Sequence, residues 1–207
     1  MKYYLYISDI KVDMLYEQIP VKLREKVATE LKIDLKLIST TLTQNAPKST
    51  RFSKLKLVDE FIRQNEKIGS IDQPEEYFNG VLKMRWGEYP YNNPKMVYFG
   101  GVTENTILGL GGSLKHVLGN IGDAICVTTP FSSMPSLLSI LKQGEDKGIV
   151  PKYKSSQAGT LVALTTLNLT GAEQRLEFCA KRLTETYNRE RQKRVVLGSP
   201  IYVALAE

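Results

Sequence analysis

The chain has 207 residues, 42% hydrophobic and 24% charged, an ordinary composition for one large globular domain or two small ones. Lys and Arg outnumber Asp and Glu by 28 to 22; the net charge of +6 suits an anionic ligand and falls short of a dedicated DNA-binding arm. No apolar run reaches membrane-spanning length, residues 1–9 are too short and polar for a signal peptide, and one His with two distant cysteines argues against a zinc centre.

Residues 2–8 alternate and are rich in tyrosine, which predicts a strand ending at Ser8 and Asp9. Asp9 is placed to cap the helical spacing that follows, and Pro20 opens a second helix with Leu23, Val27 and Leu31 on one face. Residues 33–43 alternate again, so the first third reads β-α-β. A polar loop over 44–50 precedes a helix over 52–68, with Leu55, Val58, Phe61 and Ile62 turned to a core. Residues 81–89 and 95–102 read as paired strands joined through 90–94. Trp86 in that first strand reads as core and its neighbour Arg85 as solvated; the functional alternative is an indole and a guanidinium meeting a nucleotide base and phosphate.

The stretch 98–119 carries the strongest functional signal. It reads as strand, turn, strand, then a glycine-rich bend into a helix of about two turns, capped by Ser113 and stopped by Gly119. Gly109, Gly111 and Gly112 let the backbone approach a ligand closely. Lys115 and His116, the only histidine, fall where a helix N-terminus ordinarily favours acids. Free N–H groups, the Ser113 hydroxyl and two basic side chains make a phosphate or carboxylate pocket. The plainer reading is a turn with a cap. Leu114 stands where a dinucleotide loop needs its third glycine, and no P-loop run exists.

Residues 123–129 predict a strand, and Ser133 starts a helix to about Lys142. Residues 144–158 form a polar, mobile loop, either a lid or plain surface. A strand over 159–169 follows. Thr170 and Glu173 then make a capping box for a helix bearing Leu176, Cys179, Leu183 and Tyr187, with a basic end at 189–194. A final strand over 195–205 contains Gly198-Ser199-Pro200, and a proline there marks an edge or a bulge. Cys126 and Cys179 read as buried free thiols of a reducing cytoplasm. The predicted fold is a single α+β domain over 1–207, a mixed, largely antiparallel sheet covered by helices; the alternative is an open α/β sheet.

The segments YYLYISDIKVDML, GLGGSLKHVLG and VVLGSPIYVALA together resemble an uncharacterised bacterial family of this length. A looser likeness, in residue kit and not in any aligned motif, is to the CRISPR-associated ring nucleases. What that likeness implies is metal-independent cleavage of a cyclic oligoadenylate second messenger in antiviral defence, by a cytoplasmic homodimer.

In such chemistry the RNA's own 2′-hydroxyl attacks phosphorus, while the protein aligns, neutralises charge and moves a proton. His116 and Lys115 are then the candidate catalytic residues. Gly111, Gly112, Ser113, Ser8, Asp9, Lys11, Arg85, Trp86 and Ser199 are the candidate ligand-binding ones, with no metal or cofactor. The rival expectation is a non-catalytic module that senses a nucleotide or other small anion. A third is nucleic-acid binding through the basic end of the C-terminal helix.

Overall fold

The computed structural model describes residues 2–35, 38, 48–89, 96–119, 141–142 and 158–207, and the chain divides into two compact units. One spans Ser8–Ile68; the other joins Met1–Ile7 to Gly69–Glu207.

The first unit is helical: α1 (Asp9–Gln18), α2 (Val21–Glu30) and α3 (Lys48–Asn65). Val12, Tyr16, Val27, Leu55, Val58 and Ile62 are buried, so the spacing read in α3 faces a core as expected. The Arg24 guanidinium lies 4.2 Å from the Tyr16 ring centroid, a cation on an aromatic face. Of the strand expected over 33–43, residues 33–35 and 38 are described, and Leu35 and Ile38 are helical.

The second unit holds β1 (Tyr3–Ile7), the strands β3 (Tyr77–Tyr89), β4 (Met96–Val102), β5 (Thr106–Ser113), β6 (Gln174–Asn188) and β7 (Lys193–Leu205), and the helix α4 (Ala158–Leu167); β2 is the residue pair Ile68–Gly69. The sheet is mixed and mostly antiparallel, and with the helices it makes an α+β fold; β5 and β7 run parallel. Five of its strands close on themselves. β3 pairs β4, β4 pairs β5, β5 pairs β7, β7 pairs β6, and β6 returns to β3. Each of the five therefore has a paired neighbour on both sides over at least part of its length. β1 pairs β7 farther along, Ile7 opposite Tyr202 and Tyr3 opposite Leu205.

Period-2 alternation sorts the side chains. Val97, Phe99, Leu108, Leu110, Leu176, Phe178 and Val196 gather in one cluster inside the ring. Met96, Tyr98, Ile107, Val195 and Leu197 face the other way and pack with Leu161 and Val162 of α4. Both faces of β4 and β5 are therefore covered, which explains their almost unbroken apolar runs.

Two elements are exchanged relative to the sequence expectation. Residues 158–167 are a helix and not a strand, and 174–188 are a strand and not a capped helix. The run AGTLVALTTL is apolar on all sides, and its period cannot distinguish a buried helix from a buried strand. In β6 the decisive pattern is Leu176, Phe178, Ala180, every second residue inward. The basic run 189–194 is accordingly the turn and start of the β6–β7 hairpin. At Pro200 the register skips Ile201 between Ala180 and Cys179, the bulge a proline requires. Cys179 is a buried free thiol. The expected strand over 123–129, Cys126 and the loop over 144–157 lie outside the described residues.

Candidate functional site

The glycine-rich stretch is strand, not loop. Gly109, Gly111 and Gly112 belong to β5, opposite Gly100, Tyr98 and Val97 of β4. Their lack of a side chain serves packing: a Cβ on Gly109 would collide with the Tyr98 hydroxyl, and one on Gly112 with the Tyr6 hydroxyl. The Tyr98 hydroxyl lies 3.0 Å from Thr166 Oγ1 of α4, an internal polar contact of the covered face.

Beyond β5 the chain makes a single 3₁₀ turn, Leu114–His116, in place of the expected two-turn helix. Ser113 caps it as read: its Oγ accepts the Lys115 N–H at 3.3 Å. Lys115 is exposed, whereas His116 is buried with its ring edge-to-face on Tyr6, centroids 6.0 Å apart. The chain is held here by Tyr6 bridging Val117 and by the Leu118 N–H donating to the Leu5 carbonyl at 2.8 Å. His116 and Lys115 thus diverge, and Tyr6, Gly112, Ser113 and His116 form a packed corner.

Trp86 stacks on Phe99 at 5.5 Å and donates its indole N–H to Gln174 Oε1 at 2.7 Å, while Arg85 pairs with Glu173. Trp86 is half-buried and packs against the core cluster, and its indole and the Arg85 guanidinium hold separate partners. Ser199 is buried in β7 opposite Lys181. In the helical unit, Asp9 is gripped by Arg51 of α3 through both carboxylate oxygens, at 2.7 and 2.8 Å. Ser8 and Lys11 are both buried, Lys11 Nζ donating to Ser8 Oγ at 3.4 Å. Burial pushes that amine down from its ordinary 10.5 to about 7.

An open cleft of about 670 Å³ lies at the mouth of the ring, a volume ordinary for a small-ligand site. The inward line of β6 runs through Leu176, Phe178 and Ala180 and then turns polar. The register skips Leu183 between Arg182 and Thr184, so Arg182 shares a face with Glu185 although they are three apart. Tyr187 follows by alternation, and Arg194 stands directly opposite it on β7. Glu185 lies between both cations: its Oε2 accepts from Arg182 at 2.8 Å and its Oε1 pairs with Arg194. Tyr187 is 61% exposed. Asp72, Gln73, Asn105 and Gln192 complete the polar wall.

The turn between β4 and β5 is anchored to this mouth. Lys193 Nζ donates to the Thr103 carbonyl at 2.7 Å, the Arg194 N–H to the Asn105 carbonyl at 2.9 Å, and the Thr103 hydroxyl to Asp72 at 2.7 Å. Sequence reading missed these residues because it put 174–188 on a helix, where Arg182 and Glu185 read as an ordinary surface pair three apart and no facing strand brings Arg194 to them. Nothing in the local pattern announces the bulge that gathers them. Among the described residues no group of His, Cys, Asp and Glu is arranged to hold a metal ion, and no helix is long and apolar enough to cross a membrane.

The chain belongs to the family of unknown function DUF7019, whose model matches residues 2–207. No curated protein and no solved structure matches it.

Proposed function

We propose that this protein binds a small phosphate-bearing ligand of the nucleotide class in the mouth of its strand ring, as a sensing module. The observation that carries the reading is the Arg182–Glu185–Arg194 trio. One carboxylate between two guanidiniums gives the trio one net positive charge, the second carboxylate of the cleft, Asp72, being taken by the Thr103 hydroxyl. Glu185 holds both forks in place, with unused N–H donors for an anion. Tyr187 adds an exposed ring on which a base stacks, and Gln73, Asn105 and Gln192 add amides for its edge. The finer form of the proposal is a cyclic oligoadenylate of an antiviral signalling system, read in the cytoplasm by a homodimer.

Fluorescence anisotropy with labelled AMP, cyclic dinucleotides and cyclic oligoadenylates tests it. Saturable binding that weakens about tenfold or more in Arg194→Ala, roughly 1.4 kcal/mol, and stays unchanged in Lys115→Ala supports the mouth as the site. No saturable binding across the panel overturns the reading.

Metal-independent cleavage of the same ligand is the second reading, with His116, the only histidine of the chain, as its candidate acid–base group. It ranks second because His116 does not line the mouth. Turnover of labelled cyclic oligoadenylate that His116→Ala abolishes would promote it; turnover surviving that change would remove His116 from the chemistry.

A further inference from the structure

We propose that Gln192 selects the base of the ligand, reading adenine through its 6-amino group. This rests on nucleotide binding in the mouth and goes beyond it by giving base identity to one residue. Gln192 lies in the loop 189–192 between β6 and β7, with φ at 51°, in the left-handed region that glycine adopts at least cost. Its backbone is fixed from both sides. The Arg191 N–H donates to Asn188 Oδ1 at 3.0 Å, Lys193 Nζ to the Thr103 carbonyl at 2.7 Å, and the Arg194 N–H to the Asn105 carbonyl at 2.9 Å. A glutamine held where glycine would serve the turn better points to a task for its side chain.

That side chain lines the cleft, and its carboxamide makes no hydrogen bond with the described residues. Tyr187 and Arg194 are cross-strand partners in the same hairpin, one residue pair before the loop. A base stacked on Tyr187 with its phosphate on Arg194 therefore has its edge beside Gln192. A carboxamide carries an acceptor oxygen and a donor NH2. Adenine complements both, its 6-amino group donating to the oxygen and its N7 accepting from the NH2. Guanine presents two acceptors on that edge, O6 and N7, and leaves the amide oxygen unpaired. A guanidinium would suit guanine better, and the two in the cleft are held by Glu185.

Competition against a labelled nucleotide bound to the full chain compares AMP, IMP and GMP, and the cyclic dinucleotides of the same three bases. IMP isolates the 6-position, since an oxo group replaces the amino group of AMP. The adenine forms should bind about tenfold more tightly than both 6-oxo forms. Gln192→Gly should bring all three within about twofold, and so should Gln192→Met, which keeps the length without the amide. Glycine suits a φ of 51°, so the melting temperature of Gln192→Gly should fall by no more than about 2 °C; lost base reading is thereby separated from lost folding. Equal affinity for AMP and IMP in the wild-type chain overturns the inference, as does a preference that survives in both variants. Where binding still weakens about tenfold in Arg194→Ala, such a result removes only the base assignment. No nucleotide binding at all removes the mouth reading and this inference together.

Discussion

In the barrel unit, Arg182 and Arg194 share one carboxylate at the edge of an open mouth; in the helical unit, Lys11 faces a serine hydroxyl out of solvent. Both regions carry basic side chains on regular elements, yet their surroundings differ. At the mouth, both guanidiniums are more than a third exposed and both pair with Glu185. In the helical unit, burial of Lys11 lowers its pKa from the ordinary 10.5 to about 7, while Asp9 and Asp13 of the same helix pair with Arg51 and Lys54 of α3. The two arginines are therefore placed to meet an anion, whereas burial disfavours the charged form of the lysine.

The largest expected effect sharpens the Lys11 side of this contrast. Because its folded pKa of about 7 lies below the ordinary 10.5, the unfolded chain binds the extra proton between those values. Stability therefore rises with pH across that window and is flat, from this group, below 7. Urea unfolding at pH 7 and pH 9.5 should differ by about 3 kcal/mol in favour of the higher pH, at about 1.4 kcal/mol per unit. Lys11→Met should erase most of that slope and be the more stable protein at pH 7. An unchanged slope in the variant would show the amine to be charged and would collapse the contrast.

A smaller effect tests whether the glycines of β5 serve packing or ligand approach. Gly112→Ala is expected to cost about 1–3 kcal/mol by overpacking against Tyr6, and Tyr6→Phe in the same chain to recover part of it. Thermal unfolding of the two variants decides; a neutral Gly112→Ala would reopen the loop-like reading of 109–112.

The smallest effect lies at the mouth. Glu185→Gln should change stability by no more than about 1 kcal/mol, since its partners are more than a third exposed. The same change should tighten nucleotide binding roughly fivefold, about 1 kcal/mol, because two guanidiniums lose a competing carboxylate. Weaker binding would mean that Glu185 orients the arginines more than it competes with ligand.

Residue pattern by itself determined the α+β class, the strand at Tyr3–Ile7, the helices from Asp9, after Pro20 and around Leu55, the paired strands before the glycines, the Ser113 cap and the irregularity at Pro200. Those features follow from spacings of two to four residues, within reach of local chemistry. The helix at Ala158–Leu167 and the strand at Gln174–Asn188 were not legible, since a run apolar on every side fits either state and a residue set such as Leu176, Cys179, Leu183 and Tyr187 satisfies a helical period by coincidence. Only the tertiary structure decided that five strands close into a ring, that Gly109 and Gly112 make room for tyrosines, and that a skipped residue at Leu183 brings Arg182 level with Glu185. Each depends on partners far away in the chain, and pairing register is a property of two strands together that neither carries alone.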